Sequence, residues 1–352
     1  MLALRKTAAS PGLSLDEVDE PGRPGAGEVL IEVAAAGICG SDVHVYEWTG
    51  SYEFMRRRLP VTLGHEFSGR IAAVGPEVSG LAEGDLVSAI PTIGCMKCTN
   101  CAAGFPQRCE FRRTIGLTSD GAFARLVRVP ALACVALREG TDPVLAALME
   151  PLCVGDNAAE VGAVSSGDTV LVLGPGTIGQ AIARAAAWRG ATTIVMAGLN
   201  DTARLETARR IGATHTLDLA DTPDLAAGFL AATGGRPADV VFEATGHPAS
   251  IQQGLSVLRK DGILVTAGIH AQPAAIDLTS LVRNRQQIRG AHASRRRSWE
   301  VMARRLYETP EAVRPFVSLV MGLDRAIDGF EQSRARGVSK VVLQPGLTAG
   351  AS

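Results

Sequence analysis

Six consecutive residues constrain this chain more than any others: Gly174-Pro175-Gly176-Thr177-Ile178-Gly179, a G-x-G-x-x-G pattern. They follow a wholly apolar run at 169–173 (TVLVL) and precede a helical stretch at 178–189, which Gly190 stops. In that setting the first glycine permits a tight turn and the second lets the backbone approach a pyrophosphate. The third allows close helix–strand packing. The helix N-terminus adds free N–H groups and the positive end of its dipole. A dinucleotide site at Gly174, Gly176, Thr177, Ile178 and Gly179 is the expectation. The competing reading is an ordinary glycine-rich turn.

The same texture repeats downstream. Strands are expected at 192–197, 239–244, 263–267 and 287–290, and a helix at 202–211 with Leu205, Ala208 and Ile211 on one face. Apolar strands alternating with helices imply βαβ units around a buried parallel sheet, a doubly wound α/β domain. Residues 1 to about 150 read instead as all-β. Short runs such as 29–33 (VLIEV) and 125–129 (RLVRV) are separated by Gly/Pro turns at 21–27 and 75–84. Two domains also suit a length of 352 residues. A strand is expected at 340–344 (KVVLQ), and 346–352 reads as a frayed tail.

Charge narrows the function. Lys and Arg number 35 against 36 Asp and Glu, a formal net charge of −1, so the basic footprint of a nucleic-acid or anionic-membrane binder is missing. No run is long enough to span a membrane. Residues 1–10 hold no apolar stretch of signal-peptide length, and a cytoplasmic location is expected.

That location changes the meaning of the seven cysteines. Four form Cys95-x2-Cys98-x2-Cys101-x7-Cys109 within one short segment. In a reducing compartment such clustering points to metal or catalysis rather than disulfides. Four soft ligands suit tetrahedral zinc, and a closed shell leaves no position for substrate, so the expectation is a structural zinc. An iron–sulfur cluster and a nucleic-acid zinc ribbon are the competing readings.

A second set is dispersed: Cys39 in 37–44 (GICGSDVH), His65 and Glu66 in 63–66 (LGHE), and Glu150 in 149–152 (MEPL). Taken singly, Cys39 reads as a small buried residue and His65 as a hydrogen-bonded core histidine. Taken together, one thiolate, one imidazole, one or two carboxylates and a water make an open zinc site of the catalytic type.

These motifs, in this order and over nearly the whole chain, resemble the zinc-dependent medium-chain dehydrogenases/reductases, most closely the sorbitol (polyol) dehydrogenase branch. The resemblance implies an α/β fold: a GroES-like, mainly-β catalytic domain with an inserted Rossmann domain. It places the first at residues 1–155 plus 297–352, the second at 156–296, and the active site in the cleft. It makes Cys39, His65 and Glu66 the ligands of a catalytic zinc, with Glu150 a further ligand or a partner of its water. Cys95, Cys98, Cys101 and Cys109 then hold a structural zinc, two zinc ions per chain. Ser41 matches the hydroxyl of the family's proton relay, His44 its solvent end, and Asp42 the carboxylate that orients the zinc histidine.

The implied reaction takes a hydride from a secondary alcohol of the polyol or sugar-alcohol type to NAD(P). Ser41 takes the hydroxyl proton and passes it through the nicotinamide ribose and His44 to water. The acid that would meet the adenosine ribose is missing: Gly198 stands near its place, followed by Leu199 and Asn200. The first acid is Asp201 and the first base Arg204, so NAD is favoured and NADP left open. An L-threonine 3-dehydrogenase is the nearest rival, suggested by 42–48 (DVHVYEW). That family has a histidine where this chain has Thr92, three residues before Cys95. A non-catalytic zinc and nucleotide binding protein is the rival of another class. The family also implies a homodimer or homotetramer, a small-molecule alcohol as partner, and neither nucleic acid nor membrane. Cys153 and the pair Asp156-Asn157 depart from the branch, and Cys134 reads as core. The basic runs 56–58 and 295–297 read as solvated loops.

Overall fold

The protein is described by a computed structural model that covers residues 1–347. The chain divides into two compact units. One holds Met1–Glu150, Trp299–Ala335 and the residues from Lys340 on; the other holds Pro151–Ser298 with Arg336–Ser339.

In the second unit the apolar runs pair side by side into a six-stranded parallel sheet. Its order is His215–Asp218, Thr193–Gly198, Thr169–Leu173, Ala238–Glu243, Leu258–Thr266, Gln287–Gly290. The central strand Thr169–Leu173 is buried on both faces. Its side chains alternate, as the pleat demands. Val170 and Val172 pack with Ile182, Ala183 and Ala186, whereas Leu171 and Leu173 pack with Phe229, Ile251 and Leu255. Helices therefore cover both faces of a doubly wound sheet. Chain order reverses between Thr169–Leu173 and Ala238–Glu243, the switch point at which such sheets bind ligands beyond their strand ends.

In the first unit a seven-stranded sheet runs Cys134–Ala136, Leu86–Ala89, Glu66–Val74, Glu28–Gly37, Lys340–Gln344, Val317–Gly322, with Leu126–Pro130 also paired to Glu28–Gly37. A smaller sheet joins Ser14–Glu17, Leu2–Lys6 and Val61–Thr62. The all-β reading of residues 1–150 needs correction here. Gly40–Glu47 is an α-helix and Gly50–Arg58 a 3-10 helix. Only Asp42 and Val45 of the first are buried, so it carries no apolar stripe that periodicity could detect. The expected fraying of 346–352 falls, from residue 348 on, outside the described residues.

Asp156 is explained by its partners. Its carboxylate accepts from Arg189 Nη2 at 2.9 Å and from Ser298 Oγ at 2.7 Å. Among the described residues no helix is long and apolar enough to cross a membrane.

Candidate active site and metal clusters

A local capping rule builds the first cluster. Cys39 is the residue on which the helix Gly40–Glu47 starts, and Asp42 stands at the third helical position. The Cys39 N–H donates to Asp42 Oδ2 at 3.0 Å, which satisfies one of the helix's orphan donors. The other carboxylate oxygen, Oδ1, lies 3.5 Å from His65 Nδ1. One fully buried aspartate thus caps a helix and faces an imidazole from a distant stretch of chain.

Two glycines bring His65 and Glu66 into place. Gly64 has φ +95°, and a Cβ there would meet the Phe123 ring at 2.7 Å, so the turn before His65 admits only glycine. Gly37 stands opposite Glu66 in the antiparallel register. A side chain on Gly37 would collide with Glu66 Oε2, so its absence makes the room for that carboxylate.

The result is a thiol, an imidazole nitrogen and a carboxylate oxygen, from Cys39, His65 and Glu66, all within 4.8 Å of one another. Glu66 Oε1 is buried and has no hydrogen-bond partner. This donor set, with an orphaned anionic oxygen, fits a divalent cation of the zinc type. Glu150 lies outside the mutual set but close enough to feel it. Burial lifts its carboxyl to about 7, with His65 pulling the other way and Glu66 adding to the rise. Burial alone would lower His65, yet Asp42 and Cys39 hold it well above its usual value. Burial also raises the Cys39 thiol, and the Glu66 charge adds to it.

Two residues of this site escaped the sequence reading. Lys340 Nζ donates to Glu66 Oε2 at 2.6 Å and to Ile38 O at 2.7 Å, and each member of the ion pair is 1% exposed. Burial opposes the ammonium, but Glu66 and then Cys39 raise its pKa. A lysine directly before the apolar run VVL of KVVLQ was the available signal. Tyr52 is the second. Burial first, then the charges of Cys39 and Asp42, push its hydroxyl up to about 12. Its ring stacks on His44 at 6.1 Å. Ser41 Oγ itself lies 3.3 Å from His65 Nε2, and His44 is exposed.

The second cluster comes from one loop. The sulfurs of Cys95, Cys98, Cys101 and Cys109 lie within 4.8 Å of one another. Tetrahedral zinc with bonds of about 2.3 Å sets its sulfurs roughly 3.8 Å apart, so four such thiolates fit it. Backbone amides prepare the thiolates: Cys98 N–H donates to Cys95 Sγ and Cys95 N–H to Cys109 Sγ, both at 3.3 Å. The amides of Lys97 and Cys98 draw the Cys95 thiol down to about 6. None of the seven cysteines is in a disulfide, and Cys134 and Cys153 are buried.

At the switch point Gly174 has φ +100°, and a Cβ there would meet Ala244 O at 2.9 Å. A side chain on Gly179 would collide with the Gly174 carbonyl. The helix Thr177–Trp188 begins at Gly176, so the N–H groups of Thr177, Ile178 and Gly179 have no intrahelical acceptor. Thr177 Oγ1 donates to Ser339 O at 2.6 Å. Leu199 is exposed, Asn200 is left-handed, and Arg204 is bonded to Asp201.

A doubly wound dinucleotide-type sheet and a thiol–imidazole–carboxylate cluster define the class of a metal-dependent oxidoreductase. Residues 25–139 match the alcohol dehydrogenase GroES-like domain, and 177–308 the zinc-binding dehydrogenase family. Sorbitol dehydrogenase of Halalkalibacterium halodurans is 33% identical over 98% of this chain and 99% of its own. L-threonine 3-dehydrogenase of Pyrococcus abyssi is 32% identical over 97% and 98%. A Sinorhizobium meliloti protein, solved bound to NADP, superposes with a TM-score of 0.84 at 28% identity, over 98% of this chain and 99% of its own. The chain belongs to the zinc-dependent medium-chain alcohol dehydrogenases, and it is a dehydrogenase.

Proposed function

We propose that the protein is a zinc- and NAD-dependent dehydrogenase of secondary alcohols of the polyol type. The observation that carries this reading is the convergence of Cys39, His65 and Glu66, backed by Asp42 and flanked by Ser41. In this reading Cys39, His65 and Glu66 hold the catalytic zinc, and Glu150 acts through water. Cys95, Cys98, Cys101 and Cys109 hold a second, structural zinc.

Zinc bound there would polarise the substrate hydroxyl, and nicotinamide would accept the hydride. The chain's own residues handle the proton. Asp42 fixes the His65 ring through Nδ1 and leaves Nε2 for the cation. Once Nε2 is engaged, the Ser41 hydroxyl is released from His65, and its Oγ takes the substrate's proton as its own hydroxyl proton is handed on. His44, three positions along the same helix and exposed, releases it to water. The unit of Met1–Glu150 carries this chemistry, and the unit of Pro151–Ser298 binds the dinucleotide at its glycine loop.

NAD is the preferred cofactor because Asp218 holds the turn at Asn200–Asp201 through its amides, and Asp201 in turn engages the Arg204 guanidinium. Exposed Leu278, Val282 and Ile288, on and beside the edge strand Gln287–Gly290, support a homodimer or homotetramer.

The test is NADH formation, followed by its ultraviolet absorbance, with zinc-loaded protein and a panel of polyols, simple secondary alcohols and L-threonine. Turnover of polyols above the others is expected. Turnover of L-threonine alone would transfer the protein to that substrate, and no turnover with any alcohol would leave a binding protein.

A further inference from the structure

The strand Thr193–Gly198 ends on a glycine at the point where this fold ordinarily places an acid for the adenosine ribose. Another arrangement surrounds that end. Asp218, closing the neighbouring strand His215–Asp218, accepts the Asn200 N–H at 2.9 Å and the Asp201 N–H at 3.1 Å. Those two bonds hold Asn200 in a left-handed conformation, φ +54°. Asp201 is thereby aimed at Arg204: its Oδ1 accepts from Nε at 2.6 Å and lies 2.5 Å from Nη2. Both side chains are largely buried, 7% and 14% exposed. The remaining nitrogen, Nη1, lies 3.8 Å from where a Cβ on Gly176 would stand, beside the middle glycine of the loop.

The charged groups these bonds join are two carboxylates, Asp201 and Asp218, and one guanidinium, a sum of one negative charge. The amide of Ala220 first, with those of Asn200 and Asp201, holds the Asp218 carboxyl below its usual value, so it stays ionised at neutral pH. A 2′-phosphate would add on the order of −1.5 to −2 charges to ground already negative. A ribose diol would find carboxylate acceptors there instead.

We propose that Asp201 sets the choice of NAD over NADP, and that it does so through Arg204, by engaging the guanidinium that a 2′-phosphate would need. Asp201 is a positioning residue: two of the three guanidinium nitrogens face it, and its charge cancels the cation beside Gly176. The inference rests on the reading of the glycine loop as a nicotinamide dinucleotide site.

The experiment is a fluorescence titration of the zinc-loaded full chain with NADH and NADPH. Wild type is expected to bind NADH more tightly. D201N is expected to gain about tenfold or more in NADPH affinity relative to NADH, since an unpaired arginine takes a phosphate by charge-assisted bonds. D201N/R204A is expected to lose that gain. Asp201 starts the helix Thr202–Ile211 without a side-chain cap bond, so the substitution removes no cap. Should D201N melt early, D201S is read by the same ratio. An unchanged ratio in the variant, a gain that survives R204A, or a wild type that prefers NADPH overturns the inference alone. A wild type that binds neither cofactor overturns the dinucleotide reading beneath it.

Discussion

The two metal-type clusters of this protein are built in opposite ways. The four-cysteine cluster draws every ligand from residues 95–109, and its sulfurs are oriented by amides of the same loop. Cys95 and Cys98 remain half-exposed. The other cluster takes Cys39 from a helix start and His65 and Glu66 from the entry to a strand, then backs Glu66 with Lys340 from the last strand. Its members other than Cys39 are buried. A closed, local, wet shell suits a staple. An assembled, dry one with an orphaned oxygen suits chemistry, because charges act more strongly where water is excluded.

Substitutions can break this contrast at either end. The largest effect is expected from Cys39→Ser. Turnover should fall about a thousandfold or more, since several kcal/mol of Lewis-acid stabilisation would be lost, while unfolding curves stay near wild type. Full activity in steady-state assays of that variant would remove the chemical role from the buried cluster.

Lys340→Met comes next. It strands the Glu66 carboxylate in the interior, and loss of one partner from a buried pair costs about 3–5 kcal/mol. Denaturant unfolding of zinc-free protein should show that loss, and zinc should recover part of it by giving Glu66 another cation. An equal loss with and without zinc would mean that Glu66 and the metal do not meet.

Cys98→Ser should act on the other cluster alone. Metal analysis is expected to find one zinc per chain fewer, with about 2 kcal/mol or less of global stability lost, because a peripheral loop opens locally. Loss of both zincs would show that the clusters are not independent. The smallest effect is expected from Tyr52→Phe. Removing the buried hydroxyl of the ring that stacks on His44 should lower kcat by roughly 3- to 10-fold, about one hydrogen bond, with KM little changed. A kcat equal to wild type would confine Tyr52 to packing against His44.

What could be read in advance follows the same division. The glycine loop and the cysteine loop were legible because their geometry is settled within a few residues, by positive φ, by a helix start and by ligand spacing. The central strand Thr169–Leu173 was legible because it is apolar on both faces, whereas the edge strand His215–Asp218, polar and half-exposed, was not expected. The helix Gly40–Glu47 was not, because a buried aspartate and a single buried valine give it no stripe. Cys39, His65 and Glu66 carried meaning only when taken together, and the resemblance gave them their roles; no spacing rule joins residues so far apart.

By itself, then, the amino-acid order determined the local devices: which turns need glycine, where four thiols gather, where a helix offers free amides. Tertiary structure alone decided which charges would meet. Lys340 reaches Glu66 because its strand lies beside Glu28–Gly37, where Gly37 leaves space for the carboxylate. Asp201 turns to Arg204 because a neighbouring strand end holds the intervening turn. The first pairing depends on strand register, and the second, though only three residues apart, takes its burial and orientation from the neighbouring strand end; register and burial set the distance and dielectric between charges.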